Sequence, residues 1–354
     1  MRTSASSGCW PSQPIMRHWP ALRKVRRPGI ALPHAGRRPV SRPASSGYIL
    51  AMASRNDIDF TYTLTDRLFR LSVGELADFS GAKYDGDFSL TLEEAQRRKH
   101  EFVAAQLGVP SGGRILDLGC GWGAMLAFFG TRGISGVGVT LSRGQQAADR
   151  RHGLDVQLMD ARTVTAATFG TFDGVISLGA FEHFCSIEEW QAGRQDAIYA
   201  AFFRNVASLL PPGGRFFLQT MVFGPNMIPY EAIDMHAPHL SDGHVLALLQ
   251  KTFPGSWLPY GSEQIERNAE PHFRLVAKES GRLDYIETIR QWRTRFGQRS
   301  WHKLLLYALL VPRYLTSHDF RQAFVSGISA NTIAFERQLF EHYRLVFEKR
   351  REPA

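Results

Sequence analysis

The run Arg114-Ile115-Leu116-Asp117-Leu118-Gly119-Cys120-Gly121-Trp122-Gly123 joins an apolar strand end, an acid and three alternating glycines. Glycine at Gly119, Gly121 and Gly123 lets the backbone take positive φ and approach a ligand closely, and the helix that such a turn opens presents free N–H groups. A loop of this kind suits a dinucleotide or S-adenosylmethionine, and the glycines alone do not separate the two. Asp117 lies two residues before the first glycine, where a carboxylate reaches a ligand's ammonium group and repels a diphosphate. The next strand, Gly136-Val137-Gly138-Val139-Thr140, ends without the acid that a nicotinamide dinucleotide's ribose meets. Val156-Gln157-Leu158-Met159-Asp160 closes a third strand with an acid placed to accept from an adenine amino group. Together these favour S-adenosylmethionine over a dinucleotide or a purely structural turn. For proton transfer the best candidate is Glu182, which follows an apolar strand end where partial burial raises a carboxylate toward working pH. Its neighbour His183 reads as a structural hydrogen-bonder and Trp122 as packing.

These residues need a scaffold that brings strand ends together. Leu92 to Leu107 reads as a helix with Thr91 and Glu94 as a capping box, ended by Gly108 and Pro110. Strands are expected at 114–118, 136–140, 155–159, 173–178 and 215–221, with helices near 123–131, 142–151 and 196–210. That alternation specifies an α/β, doubly wound, Rossmann-like methyltransferase fold with a parallel sheet. Residues from about 222 to 332 break the alternation and read as a helical or irregular lid inserted after the fifth strand, over the carboxyl ends of the strands. A last strand is expected at Tyr343-Arg344-Leu345-Val346-Phe347.

The 354 residues suffice for one large α/β domain. A net charge of +9 invites a nucleic-acid reading, yet the first acid is Asp57 and ten of the 42 basic residues precede it, leaving 32 basic against 33 acidic. The basic balance belongs to a tail, so no nucleic-acid partner is expected. Residues 1–52, rich in Arg, Pro, Ser and Gly, read as a disordered leader: a transit peptide for organelle import, or, as favoured here, sequence upstream of a true start at Met52. Residues 53–354 would be the catalytic domain. Cys9, Cys120 and Cys185 form no metal set, and their sparseness fits a reducing, cytoplasmic compartment. The apolar run 304–311, flanked by Lys303 and Arg313, is too short to span a bilayer and reads as a packed helix or as a patch that touches lipid, a peripheral membrane contact.

Several motifs match one family in order and spacing: Thr91-Leu92-Glu93-Glu94-Ala95-Gln96, Leu116 to Gly123, Gly138-Val139-Thr140-Leu141-Ser142 with Gln145, Ser177 to Phe184, Phe253-Pro254-Gly255 with Leu258-Pro259, and Tyr285 with Thr288 and Trp292. The chain resembles the cyclopropane-fatty-acid and mycolic-acid cyclopropane synthases. The resemblance implies methyl transfer from S-adenosylmethionine to the double bond of an unsaturated fatty acyl chain of a lipid; no obligate protein partner is inferred. It places Ser80, Gly119 and Gly121 at the methionine half of the cofactor, Thr140, Leu141 and Gln145 at the ribose, and Asp160 and Ala161 at the adenine. Alkylating an alkene leaves a cation that aromatic faces can stabilise, for which Phe181, Phe184, Tyr285 and Trp292 are candidates. The resemblance also implies a bicarbonate base gripped by a Cys, a Glu, a His and a Tyr. Here Gly81 stands at the Cys position and Gln219 at the His position, while Glu182 and Tyr285 remain. The catalytic set is therefore expected to be Glu182, Tyr285 and Gln219, with bicarbonate doubtful and a methyl or methylene branch favoured over a ring. A small-molecule methyltransferase on the same scaffold is the competing reading.

Overall fold

The computed structural model describes residues 70–253, 255–298, 300–316 and 330–351. The leader, the start at Met52 and the domain boundary at 53 lie outside the described residues.

The helix α1 (Leu92–Leu107) has the expected capping box, with Thr91 accepting from the Glu94 N–H, and it ends at Gly108 in the left-handed region at φ 65°. Strands and helices then alternate: β1 (Arg114–Leu118), α2 (Ala124–Gly130), β2 (Ser135–Thr140), α3 (Arg143–Arg151), β3 (Asp155–Leu158), α4 (Ala166–Phe169), β4 (Gly174–Leu178), α5 (Ile187–Gln191), α6 (Gln195–Ser208) and β5 (Arg215–Phe223). After β5 come α7 (Asp242–Thr252), α8 (Gly261–Ala269), β6 (Phe273–Ser280), α9 (Arg282–Gly297), α10 (Trp301–Thr316) and β7 (Phe340–Lys349). The sheet order is β3-β2-β1-β4-β5-β7-β6, parallel through β5, with β7 antiparallel to both β5 and β6.

The stretch read as a lid is corrected in one respect: residues 273–280 are an edge strand of the main sheet. Among them only Phe273 is buried, and Arg274, Val276, Lys278 and Ser280 face solvent, so the run lacks the continuous apolar character that marked the inner strands. It pairs only because β7 comes back between it and β5.

Because neighbouring strand residues point to opposite faces, the sheet builds two cores. Leu116, Val175, Phe216 and Phe347 pack on one face against Phe202, Phe203 and Ile265 of α6 and α8. Ile115, Ile176, Phe217 and Val346 pack on the other, against Val103, Met125 and Phe129 of α1 and α2. A third cluster, at the end of β5, joins Met221 and Phe223 to Leu246 and Leu249 of α7, Trp257, Trp292 and Phe335.

One buried cation ties these parts together. The guanidinium of Arg344 on β7, 1% exposed, donates to Glu279 Oε1 at 2.8 Å, Asp284 Oδ2 at 2.9 Å, the Ala82 carbonyl at 2.7 Å and Gln219 Oε1 at 3.3 Å. The other oxygen of Asp284 accepts from the Tyr84 and Asp85 N–H groups. Removing the cation strands a buried carboxylate, a loss of roughly 3–5 kcal/mol. Arg344→Met is therefore expected to unfold at markedly lower urea concentration, a midpoint read by circular dichroism.

Candidate active site

A cavity of about 300 Å³ opens at the carboxyl ends of β1, β2 and β4. Its wall includes nine of the ten residues expected to bind cofactor: Ser80, Asp117, Gly119, Gly121, Thr140, Leu141, Gln145, Asp160 and Ala161. The tenth, Gly123, does not line it. Gly123 precedes α2 at φ 70°, and a Cβ there would stand 2.4 Å from Leu154 Cδ1, so its lack of a side chain serves packing. Gly119 is similar, since a Cβ would meet that of Ala180 at 2.3 Å. At Gly121, φ 57°, a Cβ would meet no protein atom within 4 Å. Of the loop's three glycines, only this one keeps space clear without a protein neighbour to explain it.

Asp117 is 3% exposed, and its Oδ1 has no hydrogen-bond partner. Burial, then the nearby carboxylates of Asp78 and Asp149, pushes its pKa up to about 7 against the pull of Lys99. Thr140 donates to Gln145 Oε1 at 2.8 Å, so the two side chains hold each other at the rim. Asp160 caps the turn that follows β3 and carries a bidentate pair with Arg162, including 2.7 Å from Nη2 to Oδ2. An adenine amino group would share an acceptor that Arg162 already engages.

Sequence reasoning missed the network beneath Ser80. Lys99, fully buried, lies 2.5 Å from both Ser80 Oγ and Asp78 Oδ2; Ser80 donates to Asp78 Oδ1 at 2.7 Å, and His100 Nε2 lies 2.8 Å from Asp78 Oδ2. Burial works against the charge on Asp78, but Lys99 and His100 hold its carboxyl well below the usual range. The available signal was that Gln96, Lys99 and His100 share the buried stripe of α1 with Leu92, Ala95, Val103 and Leu107, at positions where an amphipathic helix places apolar residues.

A second cavity, about 50 Å³, adjoins the first through His183, which lines both. Its wall is mostly apolar, with Met221, Phe223, Leu246, Leu249, Phe253 and Phe340, and Glu182 is its one carboxylate. Glu182 sits in the short turn after β4, 6% exposed, and Oε1 accepts from the Met221 N–H at 2.8 Å. Burial pushes its pKa up to about 7, opposed by that hydrogen bond. His183 also pairs with Ser256 Oγ at 2.8 Å.

Of the expected aromatics, Phe181 is a core residue stacked on Tyr199, whereas Phe184 lines the larger cavity. Phe79, also in that wall, stacks on Trp292 at 4.9 Å, and Trp292 meets Tyr285 edge-on at 6.0 Å, a ladder of rings leading away from the cofactor loop. Tyr285 lines neither cavity; it stacks on the buried His342 at 4.8 Å, and its phenol is pushed up by burial and by Glu182. Gln219 departs from its expected catalytic role. It lines neither cavity; its Nε2 donates to the Gly81 carbonyl at 3.0 Å and its Oε1 accepts from Arg344. At Gly81 a Cβ would stand 2.9 Å from Tyr285 Cδ2 and 3.0 Å from His342 Cε1, so two rings fill the space a larger residue would need. These two positions do not accommodate bicarbonate: one offers no side chain and the other's amide is engaged.

Residues 51–314 match the mycolic acid cyclopropane synthetase family. The chain belongs to that family. It is 31% identical over 238 residues to cyclopropane mycolic acid synthase 3 of Mycobacterium tuberculosis, covering 66% of this chain and 79% of that protein. To the cyclopropane-fatty-acyl-phospholipid synthase of Escherichia coli K12 it is 29% identical over 294 residues, 81% of this chain and 66% of that one. Its fold is that of the M. tuberculosis cyclopropane synthase MmaA2, with a TM-score of 0.65 at 24% identity over 85% of this chain and 100% of that one. A similar fold, TM-score 0.62 at 24% identity over 81% of this chain and 95% of that one, is that of mycolic acid cyclopropane synthase CmaA1, solved in complex with SAH and CTAB. The family's cofactor, S-adenosylmethionine, is this methyltransferase's cofactor as well. The residues present fit it, since the unpartnered buried Oδ1 of Asp117 calls for a donor and the open space at Gly121 for a ligand.

Two outcomes are expected. Gly121→Val puts a side chain into the cavity, so calorimetric binding of S-adenosylmethionine is lost, while left-handed strain costs only about 1–2 kcal/mol of stability. The ionised form of Asp117 is the one that holds an ammonium, and its pKa before binding is about 7. Affinity therefore strengthens as pH rises, by up to ~10-fold per unit below that pKa, and declines again above about pH 8 as the ligand's own ammonium loses its proton. In Asp117→Asn the same titration calorimetry series runs flat through neutrality.

Proposed function

We propose that this chain transfers a methyl group from S-adenosylmethionine to a carbon–carbon double bond in an unsaturated acyl chain of a lipid. The observation that carries this reading is the mostly apolar second cavity with Glu182 in its wall, which shares His183 with the wall of the cofactor cavity. S-adenosylmethionine supplies the electrophilic methyl. Asp117, with Ser80 on its Asp78–Lys99 support, holds the methionine half; Thr140, Leu141 and Gln145 hold the ribose; Asp160 and Ala161 border the adenine. Holding both reactants in line inside a dry pocket supplies much of the rate, because an alkene is a weak nucleophile. Methylation leaves the acceptor cationic at the neighbouring carbon. The π face of Phe184, in the wall of the cofactor cavity, favours that charge. Glu182 then takes a proton from an adjacent carbon, the C–H electrons remaining with the chain; a carboxylate with a pKa near 7 both accepts and releases a proton at neutral pH. Without an anion gripped at Gly81 and Gln219, proton loss to Glu182 favours a methyl- or methylene-branched product over ring closure.

The acceptor reaches the protein from a membrane surface. Trp301, Leu305 and Leu315 on α10 are 86%, 65% and 68% exposed. Between Glu287 and Asp319 the sequence carries no acid but six bases, Arg290, Arg293, Arg295, Arg299, Lys303 and Arg313, of which Arg290 and Arg295 pair with Glu287 and Glu93 and Lys303 is buried. An apolar helix face in a basic stretch suits the interface of an anionic bilayer. Among the described residues no helix is long and apolar enough to cross a membrane, so the contact proposed is peripheral.

Expressing the chain in cells that contain unsaturated phospholipids should yield acyl chains heavier by one CH₂, branched on fragmentation, with turnover that added bicarbonate does not raise. Glu182→Gln should bind cofactor normally and lose roughly a hundredfold or more in kcat. Unshifted lipid masses would remove the acyl acceptor from this reading, and a cyclopropane product stimulated by bicarbonate would reverse the assignment of product.

A further inference from the structure

The turn that carries Glu182 leaves a side-chain position empty beside its carboxylate. Gly179, the residue after β4, is half-buried, lines the cofactor cavity and donates its N–H to the Gln219 carbonyl at 2.9 Å. Its φ of 72° accounts for glycine by itself. It does not account for what stands where a Cβ would be. Among the described residues, and leaving out its two chain neighbours, a carbon placed there would have one protein atom within 4 Å, Glu182 Oε2 at 3.8 Å. Gly119, in the same cavity wall, differs, because its Cβ position is filled by Ala180.

A separation of 3.8 Å is ordinary contact between heavy atoms, so one carbon fits beside that oxygen without displacing protein. Glu182 is held for such an encounter: Oε1 accepts from the Met221 N–H at 2.8 Å, and the residue belongs to the wall of the second cavity. Oε2 thus borders an empty point over a wall residue of the first cavity while Glu182 itself lines the second. Group transfer needs its reacting atoms about 3–3.5 Å apart and in line, so the partition between donor and acceptor has to thin to bare backbone at the crossing. Gly179 meets that requirement with the proton acceptor already at hand.

We propose that Gly179 is the transfer window of the reaction, the methyl moving from donor to acceptor through the space its missing side chain leaves beside Glu182 Oε2. The alkene's π electrons form the new C–C bond as the C–S bond breaks, its electrons staying on sulfur, and Glu182 accepts the proton that the resulting cation gives up. The inference rests on the reading of the two cavities as donor and acceptor sites. It is tested on the full chain with S-adenosylmethionine and dioleoylphosphatidylglycerol vesicles. Gly179→Ala should keep calorimetric affinity for S-adenosylmethionine within about threefold and lose about a hundredfold or more in kcat, because the methyl it adds holds the reactants apart. The rising limb of its kcat–pH profile should also move to higher pH, since that methyl takes water from Glu182 Oε2 and disfavours the carboxylate. Gly193→Ala is the control for strain: φ there is 69°, no atom lies within 4 Å of the added Cβ, and turnover should match the wild type. Gly179→Asn, whose side chain tolerates this φ better, should reproduce the kcat loss and covers an alanine variant too unstable to assay. Wild-type turnover in both Gly179 variants overturns the window, as does a pH limb that stays in place. Loss of cofactor affinity in step with rate also overturns it, by making Gly179 a wall of the cofactor site alone. A wild-type enzyme that methylates no oleoyl chain overturns the acyl acceptor, and this inference with it.

Discussion

Two buried cations hold one strip of backbone, residues 78–85, and the position of that strip governs both halves of the site. Lys99 reaches up from α1 to Asp78 and Ser80 at the cofactor cavity, and Arg344 reaches across from β7 to the Ala82 carbonyl, with Asp284 gripping the Tyr84 and Asp85 N–H groups. Neither cation can be buried without its acids, and neither acid without its cation. The strip is therefore clamped at both ends by charge, while Gly81 between them presses against the rings of Tyr285 and His342. A shift of the clamp would move the floor of the cofactor cavity and the aromatic wall together.

The same low-dielectric interior explains why two carboxylates near the reaction centre have pKa values around neutrality. Asp117 and Glu182 are both raised mainly by burial, yet they differ in what holds them. Glu182 receives a backbone hydrogen bond that orients it and leaves its second oxygen free. Asp117 keeps an oxygen with no protein partner, so its charge is deferred until a cation arrives. One acid is thus set up to exchange protons and the other to recognise a ligand, with the same desolvation behind both.

Much of this was legible from residue order. Alternating apolar runs and turns gave the inner strands within a residue or two, and the glycine loop and the acids after β1 and β3 located the cofactor cavity, because backbone conformation and strand ends are local properties. What stayed hidden depended on contacts distant in sequence. β6 looked irregular since only pairing with β7 makes it a strand. Gln219 looked like a spare catalytic donor until Gly81 and Arg344, 138 and 125 residues away, engaged both ends of its amide. Gly123 followed the loop's rhythm but answers to Leu154. Lys99 and His100 did leave a trace, as polar residues on a buried helical stripe, and their partner Asp78 did not.

The strand order also sets a schedule. β7 is inserted between β5 and β6 although it is made last of the three, so β6 emerges from the ribosome before the strand it pairs with. The five parallel strands and the glycine loop can assemble while synthesis continues, as domains commonly begin to fold from the amino-terminal side. Arg344, His342 and Phe340 of the second cavity's wall arrive only with β7, after β6. During synthesis the nascent protein can thus possess a cofactor cradle well before it possesses an enclosed acceptor chamber, and the closing strand acts as the step that turns a ligand-binding half into an enzyme.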